Sequence, residues 1–235
     1  MISEKVFIKN FTGFWNSLFP LHNAFMKGVI MECSQYQSEI ELNTSGRRFS
    51  FISEVGFQIF AQCKEHQISF GDITINSDLF KQVEGRCHEK FELFHDDDPT
   101  IRDSLSRNEF DDAIKITQSL SKKFPGNTVV VNPKFVGCGI IDTCYGDILS
   151  NNTLYEIKSV TRNFNIIDFR QLITYCALNY VSKKYNINSI GLYNPKRNMI
   201  YKIDLELFAS AIAGATISDI YWDIVNFISR DDTSK

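Results

Sequence analysis

Apolar positions recur at helical spacing over residues 52–63, and short runs rich in β-branched residues punctuate the second half of the chain. The pattern predicts two strands at 36–42 and 47–52 around the turn Asn43-Thr44-Ser45-Gly46, the helix at 52–63, and a further strand at 68–75. Asn76-Ser77-Asp78 is a helix start leading into 79–94, and the stretch from His95 to Pro99 breaks that helix. A second helix is predicted over 99–124, interrupted near Ser106 and stopped by Pro125-Gly126-Asn127. Strands at 128–135, 139–145 and 154–160 follow, then an amphipathic helix at 167–185 and two strands at 189–193 and 199–203 joined by Asn194-Pro195-Lys196-Arg197. Asp204 caps a helix to 213, and Thr216 or Ser218 caps a last one through 228. Residues 11–27 are rich in aromatic side chains, with Pro20 placed to end or kink any helix there.

Alternating strands and helices of this kind predict an α/β (α+β) protein with a mixed central sheet flanked by helices. Its core is expected at 76–230, preceded by an N-terminal α/β elaboration or small subdomain at 1–75 and followed by a loose tail at 231–235. The sequence shows no internal repeat and no low-complexity linker.

Composition narrows the class. The chain has 235 residues, 43% of them hydrophobic, and 20 are phenylalanine, enough for one large domain or a core with an appendage. Its apolar runs are too short and interrupted to cross a bilayer, and the first residues, Met1-Ile2-Ser3-Glu4-Lys5, lack a secretory-signal pattern, so a cytoplasmic location is expected. The six cysteines (33, 63, 87, 138, 144 and 176) form no C-x-x-C pair, which argues against structural zinc and iron–sulfur sites and for reduced, buried thiols. A net charge of −3 argues against binding nucleic acid by bulk positive charge, although local pairs such as Arg47/Arg48, Lys122/Lys123, Lys183/Lys184 and Lys196/Arg197 can still build a groove.

The chemistry concentrates in Gly139-Ile140-Ile141-Asp142 and Glu156-Ile157-Lys158. Side chains alternate faces along a strand, so Glu156 and Lys158 point the same way. Carboxylates and an ammonium on one surface suit a divalent cation and the anionic substrate it holds, and so point to a metal-dependent nuclease. Gln171 and Tyr175 lie one turn apart on the following helix and share a face. Asp147 competes with Asp142 for the first carboxylate; Asp142 is preferred because Gly139 precedes it and it falls within a predicted strand.

Gly139-x-x-Asp142, Glu156-x-Lys158 and Gln171-x-x-x-Tyr175 together resemble the core of the PD-(D/E)XK nuclease superfamily, and most of all its RecB-like exonuclease branch. The resemblance covers roughly 77–205 and implies a restriction-endonuclease-like core. It further implies Mg²⁺ or Mn²⁺ held by Asp142, Glu156 and the backbone carbonyl of Ile157, with Lys158, Gln171 and Tyr175 completing the catalytic set and DNA as the partner. The branch also carries a histidine after a glycine on an upstream helix; Gly85-Arg86-Cys87-His88 sits there, one residue shorter in spacing, and makes His88 a candidate metal ligand. Where the strand before the aspartate often has a glutamate, this chain has Val131-Asn132-Pro133. The superfamily includes ring-forming members, so a homo-oligomer is compatible with it, as is a protein partner through the N-terminal region.

Plainer roles compete with each assignment. Glu156 and Lys158 taken alone are a surface pair, His88 a helix or core histidine, Gln171 a buried hydrogen-bonding group and Tyr175 a packing residue. Glu54 is a reserve upstream acid, Asp96-Asp97-Asp98 reads as a solvated loop, and His22, His66 and His95 as structural or exposed. Trp15 and the Phe-rich first half suit a core or an interface. The alternatives to a nuclease are an inactive nuclease-fold binding or structural subunit, and a nuclease active only within a complex.

Overall fold

The computed structural model describes the chain except residues 35–39, 45, 47, 93–101, 127 and 231–235 and the side chain of Ser34. Contacts divide it into two compact units: Met1–Gln37, Val130–Asn194 and Met199–Lys235 form the first, Ser38–Val129 and Pro195–Asn198 the second. The expected division at 75/76 is therefore not where the chain divides. The first 37 residues share a unit with the sheet, whereas the helices Asp78–Glu92 and Arg107–Lys123 belong to the other unit. Among the described residues no helix is long and apolar enough to cross a membrane.

Three helices open the chain: α1 (Glu4–Asn10), α2 (Thr12–Leu18) and α3 (His22–Ser34). Ser3 caps α1 by accepting from the Val6 amide, and Pro20 lies in the turn between α2 and α3, where its missing amide and fixed φ end one helix before the next begins. Their aromatic side chains Phe7, Trp15 and Phe19 are fully buried in the first unit's core.

The second unit is helical. It holds α4 (Phe49–His66), α5 (Asp78–Glu92) and α6 (Arg107–Lys123). The strand expected at 47–52 is instead the first turn of α4 from residue 49 onward. Phe49-Ser50-Phe51 alternates like a strand, but the apolar run continues to residue 63 at helical spacing, and burial of Phe51, Ile52, Val55, Ile59 and Phe60 fixes the helical register. Residues 40–42 form no strand, while 36–39 lie outside the described residues. Residues 68–75, also expected as a strand, make only a 3₁₀ turn at Phe70–Asp72 capped by Ser69. No strand occurs among the described residues of 1–75, so the expected α/β elaboration is helical. The helix predicted from residue 99 begins at Arg107, because Ser106 and Glu109 form a reciprocal capping box there; 99–101, and the break expected at 95–99, lie outside the described residues.

Helices α4 and α6 cross at Gly56, where a Cβ would stand 2.7 Å from the Ala113 carbonyl oxygen and 3.0 Å from the Ile116 Cβ. Thr117 seals the crossing by donating from Oγ1 to the Gly56 carbonyl at 2.8 Å. The fully buried Asp112 pins residues 43–44 onto α6: its carboxylate accepts from both their amides, the Asn43 side chain and the Thr44 hydroxyl. Burial pushes the Asp112 carboxyl up, but these bonds and Lys115 outweigh it and hold the group below its usual range.

The strands all lie in the later sequence. They are β1 (Val130–Val131), β2 (Lys134–Phe135), β3 (Cys144–Tyr145), β4 (Ile148–Ser150) and β5 (Thr153–Ile157). Then come α7 (Ile166–Ser182), β6 (Ser189–Asn194), β7 (Met199–Asp204), α8 (Leu205–Ala213) and α9 (Ile217–Ser229). A mixed sheet of order β1-β4-β5-β6-β7 results, parallel only between β5 and β6, whose crossover is α7. The strand expected at 128–135 is two short ones, because Pro133 has no amide for the ladder and Asn132 takes a positive φ. β2 pairs instead with β3 in a separate ribbon. Strand β4 has no counterpart among the predicted elements. It joins β5 through Asn151 and Asn152, both at positive φ, the geometry of a two-residue hairpin turn. Asp204 and Thr216 cap α8 and α9 as the sequence predicts, Thr216 rather than Ser218 serving the second.

Two measurements check this account of the second unit. Gly56→Ala, which forces α4 away from α6, lowers unfolding free energy by about 1–3 kcal/mol in denaturant titration. The depressed carboxyl of Asp112 gives stability that is complete above the unfolded carboxylate range and lost as pH falls through its lower folded value, so Asp112→Asn flattens the acid limb of the stability–pH curve.

Candidate functional site

The hairpin turn sets the site. Its register pairs Ile148 with Tyr155, and one residue further places Asp147 across from Glu156. Asp147 Oδ2 accepts from the Ile157 amide at 2.6 Å, tying the aspartate to the end of β5. Lys158 follows β5 directly and stays in line with it, because its amide donates to the Tyr193 carbonyl of β6 at 2.9 Å. Glu156 and Lys158 therefore share a face, and Lys158 Nζ donates to Glu156 Oε1 at 3.0 Å. The same ammonium donates to Gln171 Oε1 at 2.8 Å, and Gln171 Nε2 donates to Tyr175 Oη at 2.8 Å. Asn165 and Asp168 fix the start of α7 with a capping box, and Arg162 holds Asp168 through both guanidinium amines, which sets the helix's depth against β5.

Glu156, Lys158, Gln171 and Tyr175 thus form one hydrogen-bonded set. Asp142 does not join it. It is exposed, lies outside any strand, and its amide donates to the Ile2 carbonyl. The preference for Asp142 over Asp147 rested on a strand at 139–145, whereas only Cys144 and Tyr145 are in one. Gly139, which recommended Asp142, has a packing role instead: it sits at positive φ, and a Cβ there would meet the Ile228 carbonyl oxygen at 2.0 Å. Ile157 contributes its amide to Asp147 as described, and its position at the strand end leaves it beside Glu156. His88 belongs to the second unit, where its ring packs 4.6 Å from that of Phe51 and its buried Nδ1 has no hydrogen-bond partner. Glu54, the reserve acid, is in the same unit and takes Lys90 at 2.6 Å and Gln58 at 2.9 Å.

Sequence reasoning missed Glu4. This buried residue of α1 acts electrostatically on Glu156, Tyr175 and the Cys144 thiol. Its helix is held at the C-terminal end by two donors: Arg170 Nη1 reaches the Ile8 carbonyl at 3.3 Å, and Trp15 Nε1 the Phe7 carbonyl at 3.2 Å. The available signal was Ser3-Glu4, a helix cap followed by a first-turn acid.

The site is rich in carboxylate and poor in water. Burial pushes the Glu156 carboxyl up, against the pull of Lys158, and Asp168 and Glu4 add to the rise. Burial pulls Lys158 down, but Glu156, Asp147 and Asp168 outweigh it and hold the ammonium above its usual range. Tyr175 is driven well up by burial and by Glu156, Glu4 and Asp147, so its hydroxyl stays protonated. The second oxygen of Glu156, Oε2, is buried with no hydrogen-bond partner. Among the described residues no three histidine, cysteine, aspartate or glutamate side chains are arranged as a ready-made metal cage. The orphaned oxygen and the neighbouring Asp147 nevertheless fit a hard divalent ion, which satisfies buried carboxylate oxygens that nothing else satisfies. No family model matches the chain, and neither a curated protein nor a solved structure matches it.

Tyr175→Phe tests the hydrogen-bonded chain. It leaves the Gln171 amide without its acceptor in a dry site, so the melting transition falls by the equivalent of ~1–3 kcal/mol, with secondary structure by circular dichroism unchanged.

Proposed function

We propose that the chain is a divalent-metal-dependent nuclease that hydrolyses DNA phosphodiester bonds, built on a restriction-endonuclease-like core of the PD-(D/E)XK type. One observation carries the proposal: Lys158 is clamped between Glu156 and Gln171 beside Asp147, while Glu156 keeps a buried oxygen without a partner. The mixed sheet, with Asp147 just before β4, Glu156 on the paired β5, and Gln171 and Tyr175 on the following helix, supports the fold assignment. Mg²⁺ or Mn²⁺, held by Asp147 and Glu156, would polarise the scissile phosphate and acidify a bound water. Lys158, kept charged by its carboxylates, supplies a fixed positive group where phosphate charge develops. Gln171 holds that ammonium in place, and Tyr175 holds Gln171. Glu4 adds a further buried acid on the same side.

A second reading, a nuclease fold without turnover, is favoured by the absence of a three-ligand metal cage among the described residues. Cleavage assays separate the two. End-labelled linear duplex and closed circular DNA are incubated with Mg²⁺, Mn²⁺ or EDTA. Metal-dependent cutting by the wild type is expected, lost by at least 100-fold in Glu156→Gln, Lys158→Ala and Asp147→Asn but kept in Asp142→Asn. Loss of linear DNA alone indicates an exonuclease, and a nicked or linearised circle an endonuclease. If Asp147→Asn cuts like wild type while Asp142→Asn does not, the assignment of the aspartate is wrong. If no substrate is cut and calorimetry detects no Mn²⁺ binding sensitive to Asp147→Asn, the inactive-fold reading replaces this one.

A further inference from the structure

Beyond the carboxylate site, the first unit holds a cavity of about 410 Å³ at the C-terminal end of α7, against α9 and the turn that leads to β6. Lys183, Lys184, Tyr180, Tyr185 and Tyr221 line it, and no aspartate or glutamate is among the described residues that do. The carboxylate nearest in effect, Glu206, acts on the Tyr221 hydroxyl, and its Oε2 already accepts from the Ile217 amide at 3.2 Å.

The cavity is built, not incidental. Lys183 ends α7 at a φ of 49°, a left-handed conformation that a side chain with a Cβ adopts at a cost. Asn179 maintains it: its side chain clasps the backbone of Tyr185 from both sides, donating to the carbonyl at 2.8 Å and accepting from the amide at 2.9 Å. The clasp fixes where both lysines emerge, and Lys184 lies over the Tyr185 ring at 4.8 Å. Tyr221, largely buried, backs the ring of Tyr180 at 5.4 Å, and Tyr180 itself is 44% exposed, so one aromatic face is held firm and open to solvent. Two ring contacts link the cavity wall to the candidate site. Phe135 stacks on Tyr175 at 5.2 Å and 7°, and meets Tyr185 edge-on at 5.6 Å.

We propose that this cavity is a subsite for a single-stranded DNA segment, which stacks one base on Tyr180 and sets adjacent phosphates on Lys183 and Lys184. Exposed aromatic faces bind bases without regard to sequence, and lysines bind the backbone by displacing its counterions. A paired duplex keeps its bases stacked on each other and offers only phosphates, so the open ring selects the single strand. The subsite rests on the nucleic-acid reading of the carboxylate site, but it is tested without cleavage.

Binding of a fluorescent oligothymidylate to the full chain is followed by anisotropy in EDTA across a range of salt. Wild type is expected to bind the single strand more tightly than a duplex of equal length or an abasic strand. Lys183→Gln/Lys184→Gln, at exposed positions that leave the core intact, is expected to weaken binding at least tenfold and reduce the log–log salt slope by about 1.4, the value for two lost single-strand phosphate contacts. Tyr180→Ala is expected to cost about tenfold on the oligothymidylate and nothing on the abasic strand. These results with no cutting by wild type under any metal would keep the subsite and remove the nuclease. Cutting by wild type with unchanged affinity and slope in the lysine variant would remove the subsite and keep the nuclease. Equal binding of the abasic strand, or no binding of any strand by wild type, overturns the proposal.

Discussion

Everything in the first unit is arranged around a buried acid. Glu156 is 5% exposed near the end of a strand paired on both sides, where an ionised carboxylate costs several kcal/mol unless it is partnered. One of its oxygens has Lys158, and the other has no hydrogen-bond partner among the described residues. A fold selected for stability alone would place an apolar side chain here, since a half-satisfied polar group is worse than none. Lys158 is in turn oriented by Gln171, and Gln171 by Tyr175, so a single chain of donors runs from the sheet into α7. On the proposed reading, a divalent ion at the spare oxygen would offset the cost of burying this chain.

The surrounding structure raises that expense further. Asp147, Asp168 and Glu4 bring more negative charge toward Glu156 and Lys158 from a hairpin strand, the head of α7 and the first helix. Each acid is held by unrelated local chemistry: the Ile157 amide for Asp147, the Arg162 fork and Asn165 for Asp168, and the anchoring of α1 by Arg170 and Trp15 for Glu4. Three independent devices that converge on one negative surface are hard to ascribe to packing. Arg162 balances Asp168, and Lys158 alone is too little charge to balance Glu156, Asp147 and Glu4.

The sequence revealed the end of this site that depends on local period and hid the part that depends on pairing. Glu156 and Lys158 share a face through strand alternation, and Gln171 and Tyr175 through the helical turn, so both pairs were legible. The aspartate depended on strand register. Ile148-Leu149-Ser150 is short and runs into Asn151-Asn152, a dipeptide that favours the positive φ values of a tight hairpin; read as a turn, it would have placed Asp147 opposite Glu156. Glu4 was hidden because nothing local links the first helix to a strand some 150 residues later; only tertiary packing does. The helical second unit was misread at 49–52 for the opposite reason, a local alternation overridden by longer-range burial, and at 68–75 because Ser69 caps a 3₁₀ turn in a mostly exposed stretch.

Helix α7 carries the consequence furthest. Its head presents Asp168 and its tail is followed by Lys183 and Lys184, acid and base placed where the helix dipole favours each. Gln171 and Lys183 are separated along this one rigid element by about 18 Å and roughly a third of a turn, at 1.5 Å and 100° per residue. Because a packed helix does not stretch, that separation is a fixed ruler between the acidic site and the basic cavity. A strand that engages both ends must also curve around the helix, which an unpaired strand does at little cost and a stiff duplex does not. On the nuclease reading proposed above, the same helix that sets Gln171 against Lys158 would favour a flexible single strand over continuous duplex.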